Sequence, residues 1–457
     1  MKMRFRDEYS SAELGDARRS ERLAELGMAL ASFPAASFPE ALGDGAALEA
    51  AYRFFGNDSV EPSSVLQPHH RQSAARCAER GAVVVAHDST DFVFAGNRRG
   101  LGRMRGHKER GFFAHVALAV SWDTAREPLG SLGLETWTRG PTKTSSRSNS
   151  RVRQREPDRE SARWLRGVVT VEQMVPKALA VHVMDREADD YQLLAALVAG
   201  DRRFIVRSKF DRRLEDARTL GKALSTATTV VIREVPLTKR RRAQFPSSEK
   251  VHPVRDARLA TLGIKARRVV LQRPNGMMAA VPRYLPINVV VVEEINPPKG
   301  ETPVTWRLYT TEPIKSSASL ERIVDGYRCR WVIEEFFKVL KTGCGIEKRQ
   351  LESRHSLENA LAVYIPIAWR VLRHRTLAKI DGGNKASLIL SKLQIRLLRR
   401  VSKIKLPNAL TIENALIAIA ALGGHLRRNG SPGWITLLRG YQRLLTLEEG
   451  ALLVEKM

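Results

Sequence analysis

The pattern of apolar and polar positions changes character twice along the chain. Up to about residue 80 the spacing is helical. "SSAELGDARRSERLAELGMALAS" repeats its apolar residues at three- to four-residue intervals, and "GAALEAAYRFFGN" carries a second stripe. Short β-branched runs then take over. "GAVVVAHDST", "FFAHVALAVS", "KALAVHVM" and "RRFIVRSK" read as strands, with Arg207 and Lys209 alternating to one side of the last. "SARWLRGVVTVEQM" leads into a helix, and "YQLLAALVAG" follows "KALAVHVMDREADD" as strand, acid, helix. Residues 211–310 hold four further β-like runs, "TTVVIREV", "ARRVVLQR", "INVVVVEEI" and "TWRLYTTEP", between basic or Pro/Gly-rich turns. After "SASLERIVDGYRCRWVIEEFFKVLKTG" the chain is rich in Leu and Ala and reads as helix to the end. The pattern predicts a helical region over 1–75, an α/β core over 76–360 with a β-rich insertion at about 211–310, and a helical region over 361–457.

One helix carries more than an amphipathic pattern. In "YRCRWVIEEFFKVLKTG", Tyr327, Arg330, Glu334, Lys338 and Lys341 fall within an arc of roughly 80° at about 100° per residue. A solvated face with Glu334–Lys338 pairing accounts for the spacing. It does not account for one Glu ringed by Arg and two Lys beside an aromatic hydroxyl. Glu335 points elsewhere and reads as a bystander. Trp331 reads as packing the helix.

Charge narrows the class of partner. There are 76 Lys plus Arg against 49 Asp plus Glu, a net +27, and 43% of residues are hydrophobic. An enzyme of small molecules has no need of that excess, whereas a polyanion binder does, with an anionic membrane surface as the competing explanation. "MKMRFRDEYS" lacks the apolar core of a signal peptide, and no apolar run reaches the length of a membrane span, so no membrane is expected. Three cysteines, Cys77, Cys329 and Cys344, without CxxC spacing fit a reducing compartment and argue against thiolate zinc. Any metal has to sit on carboxylates.

The carboxylates with a defined setting are few. Asp88 follows "VVVAH" and Asp185 follows "LAVHVM", both read as strand ends, and Glu334 lies on the later helix. Short Asp side chains at strand ends and a longer Glu from a helix suit hard divalent cations. Each acid alone is as compatible with a turn or helix cap, and Asp189 and Asp190 compete with Asp185.

In order, "LGDARRSERL", "DST" at 88–90, "DREAD" at 185–189, "FIVRSK" at 204–209, "EINPPKGETP" at 294–303 and the 327–343 stretch resemble the DDE transposases of the bacterial insertion-sequence-four family. The likeness is close to the hairpin-forming cut-and-paste transposase of the transposon-five element. It runs along nearly the whole chain, and Tyr327, Arg330, Glu334 and Lys341 match the family's Tyr-x2-Arg-x3-Glu-x6-Lys signature.

The resemblance implies an RNase H-like mixed sheet with a β-rich insertion, flanked by helical regions. It implies Asp88, Asp185 and Glu334 as catalytic residues and ligands of two Mg²⁺ ions, with Mn²⁺ as a substitute. The activity implied is nicking, hairpin formation and opening, and joining of 3′ ends to target DNA. Tyr327, Arg330, Lys338, Lys341, Arg207, Lys209 and Trp306 are implied DNA contacts, Trp306 filling the space of a flipped base. Arg18, Arg19 and Arg22 lie in the region that reads double-stranded terminal inverted repeats. The closing helices imply a homodimer that synapses two ends in the bacterial cytoplasm, associated with the nucleoid. A catalytically inert DNA-binding relative, serving as inhibitor or domesticated protein, and an RNase H-like nuclease without strand transfer remain open. The basic span 139–160 departs from the family pattern.

Overall fold

In the computed structural model, residues 5–104, 108–139, 160–237, 239, 254–380, 382–426, 428 and 432–455 are described; most of the basic span 139–160 lies outside them. Four helices open the chain: α1 (Ala17–Ser32), α2 (Phe38–Leu42), α3 (Gly45–Phe55) and α4 (Pro62–Arg80). Asp16, Ser37 and Asp44 cap the first three through their side-chain oxygens. Leu23, Leu26 and Leu30 give α1 its buried stripe.

Ten strands form one sheet: β1 (Val83–Phe94), β2 (Gly102–Arg103), β3 (Arg110–Ser121), β4 (Pro128–Trp137), β5 (Ala180–Met184), β6 (Arg203–Arg207), β7 (Val231–Leu237), β8 (Arg258–Gln272), β9 (Tyr284–Glu294) and β10 (Thr305–Thr310). The order is β2-β3-β1-β5-β6-β10-β9-β8-β7, with β4 also on β3. Among the described residues only β1–β5 and β5–β6 are parallel; the other strand pairs are antiparallel. The two parallel joins are bridged by helices, α5 (Arg163–Glu172) before β5 and α6 (Tyr191–Ala199) before β6, as parallel strands require. The strands of 211–310 do not stand apart. They extend the same sheet through β10, which pairs with β6.

After α7 (Leu220–Ser225) between β6 and β7, the remaining helices are α8 (Ser317–Cys329), α9 (Trp331–Lys338), α10 (Arg354–Ile380), α11 (Lys392–Val401), α12 (Ile412–Leu422) and α13 (Trp434–Glu455). One apolar core joins Leu23 and Leu30 of α1, Val84 and Ala86 of β1, Leu361 and Trp369 of α10, and Leu444 of α13. The opposite face packs α6, α7 and the insertion strands around Tyr191, Leu271 and Tyr309. This is a mixed, mostly antiparallel sheet flanked by helical N- and C-terminal regions, an RNase H-like arrangement with insertions. No described helix is long and apolar enough to cross a membrane.

Three local readings are corrected. Asp88 does not end a strand: "DSTDFVF" continues β1, because its alternating residues pair with β3 as far as Phe94↔Arg110. Lys209 lies beyond β6, which stops at Arg207, so the two do not share a strand face. The helix over 327–343 is not continuous. It is interrupted at Arg330 and widens into a π-turn at Val339–Gly343, which rotates Lys341 relative to the preceding turns.

Candidate active site

The parallel pairing of β1 with β5 sets the two aspartates side by side. Its last paired residues are Ala86 and Val183, and Asp88 and Asp185 each stand two residues further on. Each acid therefore projects on the same side as the paired residue before it. Beyond Ala86 only β3 continues alongside β1, where Asp88 faces Val116. This leaves the edge of β1 open next to Asp185, at the end of the parallel strands where sheets of this kind keep their chemistry.

The third acid approaches from α9. Arg330 donates from Nη1 to Asp88 Oδ2 at 3.0 Å and from Nη2 to Glu334 Oε1 at 2.5 Å, so one guanidinium spans both carboxylates. Arg330 is buried. Asp88 Oδ1 also accepts the Ser89 N–H. Burial above all, with the charges of Asp185 and Glu334, pushes the Asp88 carboxyl up to about 7 against the opposing pull of Arg330. The charges of two other carboxylates thus act on Asp88.

The competing acids are already engaged. Asp189 is fully buried, accepts the Lys209 and Phe210 N–H groups and is paired with Arg212. Asp190 caps α6 through the Gln192 N–H. Asp185 accepts one backbone N–H, from Glu187. Glu335 receives Lys338, Arg375 and Trp434, which tie α9 to α10 and α13.

The proposed DNA contacts are placed unevenly. Lys341 reaches back to β1, 2.8 Å from Asp91 Oδ1. Lys338 is exposed and pairs with Glu335, not with Glu334. Tyr327 is buried, and its hydroxyl has no hydrogen-bond partner among the described residues; neither has Arg330 Nε. Trp306 is half-buried on β10 and meets the Tyr327 ring edge-on at 5.5 Å between centroids. Trp331, expected to pack, is half exposed, with the Arg330 guanidinium 5.1 Å from its ring centre. Arg207 touches the Thr305 carbonyl at 3.4 Å, and Lys209 stands over Phe210. On α1, Arg18 is almost fully exposed, Arg22 pairs with Glu25, and Arg19 donates to the Leu14 carbonyl.

Sequence reasoning passed over Arg163. It is buried at the start of α5, donates from Nε to Ser89 Oγ at 2.9 Å and pairs with Glu187 at 3.1 Å. It thereby links the segments carrying Asp88 and Asp185. An arginine in a helix's first turn opposes the helix dipole, which was the available signal. Behind it, His87, His115 and His182 are buried, and Gly167 lets α5 approach them: a Cβ there would sit 3.1 Å from His115 Nε2 and 3.2 Å from His87 Nδ1.

Among the described residues, no three His, Cys, Asp or Glu side chains are grouped closely enough to hold a metal ion. The Arg330 guanidinium stands between Asp88 and Glu334 instead. In kind, three half-buried carboxylates remain the donors a hard divalent cation uses.

Residues 2–60 match the transposase DNA-binding family, and residues 165–365 match the transposase DDE domain family. The second match contains Asp185, Tyr327, Arg330, Glu334 and Lys341; Asp88 lies ahead of it. Among solved structures, the cryo-EM structure of a piggyBac transposase synaptic complex with hairpin DNA is similar over 90% of this chain and 80% of that chain, at 9% identity and a TM-score of 0.34, too slight a likeness to argue from. The two family matches link this chain to the DDE transposases.

Proposed function

We propose that the protein is a metal-dependent cut-and-paste DNA transposase of the insertion-sequence-four kind, close to the transposon-five transposase. The observation that carries this reading is the level placement of Asp88 and Asp185 on adjacent parallel strands, with Glu334 joined to Asp88 through Arg330. The DDE-domain match over 165–365 supports it. Asp88, Asp185 and Glu334 would hold Mg²⁺ or Mn²⁺, which when bound supplies charge stabilisation for phosphoryl transfer. Lys341 and Arg330 lie where a scissile phosphate needs cationic partners, and the unpartnered Tyr327 hydroxyl offers a donor beside them. Arg18, exposed on α1 within the segment matching the DNA-binding family, suits contact with the inverted repeat. Two DNA ends require synapsis, so the working unit is a homodimer on double-stranded end DNA and target DNA, in the bacterial cytoplasm.

One observation favours a second reading. Arg330 neutralises two of the three carboxylates, as an inert DNA-binding relative could tolerate. Purified protein with end-containing duplex and Mg²⁺ or Mn²⁺ separates the two. The transposase yields nicked and hairpin products, and pre-cleaved ends become joined to target DNA. Binding without cleavage under either ion supports the inert relative. Cleavage without joining supports a nuclease.

A further inference from the structure

The 31 residues from Gly382 to Ile412 hold seven Lys or Arg and no Asp or Glu. The centre of this tract is α11, and its charges share one side. Lys392, Arg396, Arg399 and Arg400 span an arc of about 100° at 100° per residue, and all four are exposed. The opposite side is anchored. Gln394 and the capping Ser391 both donate to Glu448 of α13, and Leu398 is buried. Lys403 and Lys405 follow the helix and are also exposed. Arg399 bonds to the Pro407 and Asn408 carbonyls, which fixes the turn after α11 against the helix. Among the described residues, Lys392, Arg400, Lys403 and Lys405 form no ion pair with an acid.

A last-turn position is favourable for Arg399 and Arg400 through the helix dipole alone. That does not explain Lys392 in the first turn, where the dipole disfavours a cation, nor a tract this long without one compensating acid. Self-repulsion among exposed cations is relieved by a polyanion with regularly spaced charge. Lys392 and Arg400 stand about 12 Å apart along the axis at 1.5 Å per residue. Duplex DNA carries a phosphate about every 3.4 Å of helix axis on each strand, so a face about 12 Å long can meet several phosphates.

We infer that the exposed face of α11 with Lys403 and Lys405 is a sequence-independent binding surface for the backbone of duplex DNA, carried by the C-terminal helical region. Side chains of this kind position a duplex without reading its bases.

The experiment uses the full chain and a duplex lacking any end sequence, so it reads binding without chemistry and stands whether or not the protein cleaves DNA. A variant carrying Lys392→Gln, Arg396→Gln, Arg400→Gln and Lys403→Gln is compared with wild type over a salt series. The expected result is an affinity lower by about tenfold or more at low salt. The slope of log affinity against log salt should fall by about 2–3.5, near 0.9 for each phosphate no longer neutralised. A second variant with Arg396→Lys and Arg400→Lys keeps the charge and is expected to retain binding, and a Gln variant that melts at the wild-type temperature shows that its loss of binding is not misfolding. Unchanged affinity and slope in the Gln variant overturn the inference. So does a variant that keeps DNA binding but loses binding to anionic lipid vesicles, which would assign the face to a membrane surface.

Discussion

Arg330 and Asp88 are joined by a 3.0 Å hydrogen bond, and the same guanidinium holds Glu334 on its other edge. Under the proposed function, the arginine thus pairs with two of the carboxylates that would hold a divalent cation. Removing one member of a buried ionic group leaves the others uncompensated, at a cost of about 3 kcal/mol. Arg330→Ala is predicted to lower thermal stability by that order without added ions. Mn²⁺ should then raise its melting temperature more than it raises that of wild type. Calorimetric titration should show tighter Mn²⁺ binding to the variant, by about tenfold, an energy of roughly 1.4 kcal/mol. Equal Mn²⁺ affinity in both proteins would mean that the guanidinium and the ion do not compete.

The N-terminal helices meet the sheet through a buried polar group with an assigned tautomer. The Ser131 N–H donates to His69 Nε2 at 3.0 Å, so the ring proton sits on Nδ1, 2.5 Å from Glu8 Oε2. Arg76 completes the group at Glu8 Oε1. Burial holds His69 below its ordinary value, Glu8 raising it and Arg76 lowering it. As pH falls, the folded state then binds the proton later than the unfolded chain. The contribution of neutral His69 is complete above about pH 6.5 and declines as pH falls below it, at most about 1.4 kcal/mol per pH unit for one proton. Denaturant titrations at pH 7, 6 and 5 should show this decline. His69→Gln should be less stable at pH 7 and show a shallower decline.

In the C-terminal region, α12 and α13 cross with their backbones in close approach. Gly423 and Gly440 permit it: a Cβ on Gly440 would run into the Ile419 carbonyl, and one on Gly423 into the Thr436 carbonyl. Backbone cannot move aside as a flexible side chain can. Gly440→Ala is predicted to destabilise the protein by about 2–3 kcal/mol or more, despite alanine's better helix propensity. Thermal unfolding measures this, and a melting temperature equal to or above that of wild type would refute the packing described.

The sequence was most informative where one local pattern had one physical cause. Asp185 follows a fully buried β5, "AVHVM", and the runs over 211–310 are strands because β-branched alternation has few other uses. Asp88 was legible as an acid after an apolar run but not as a mid-strand residue, since the half of β1 beyond it depends on a partner, β3, that only tertiary pairing supplies. Helical phase grouped Lys338 with Glu334, and both lie within α9, but the Lys338 ammonium turns to Glu335 three residues back instead of to Glu334 four back. The π-turn that follows alters the phase of Lys341 alone among these residues. Arg163 was missed because its role depends on Ser89 and Glu187, distant in sequence. Glu335 reads as a bystander along the helix, yet it holds Arg375 and Trp434 from elements that no helical projection displays.

Two neighbouring glutamates provide the most direct test. The proposed site assigns metal ligation to Glu334, and the partners of Glu335 assign it to the packing of α9 against α10 and α13. Cleavage of end-containing duplex with Mn²⁺ is to be measured for Glu334→Gln and Glu335→Gln, alongside DNA affinity and melting temperature. Loss of a ligand that stabilises transition-state charge by several kcal/mol lowers the rate by about a hundredfold or more. Glu334→Gln is predicted to show that loss with DNA affinity preserved, and Glu335→Gln to keep near-normal cleavage with a lowered melting temperature. Normal cleavage by Glu334→Gln, or a loss confined to Glu335→Gln, would contradict it.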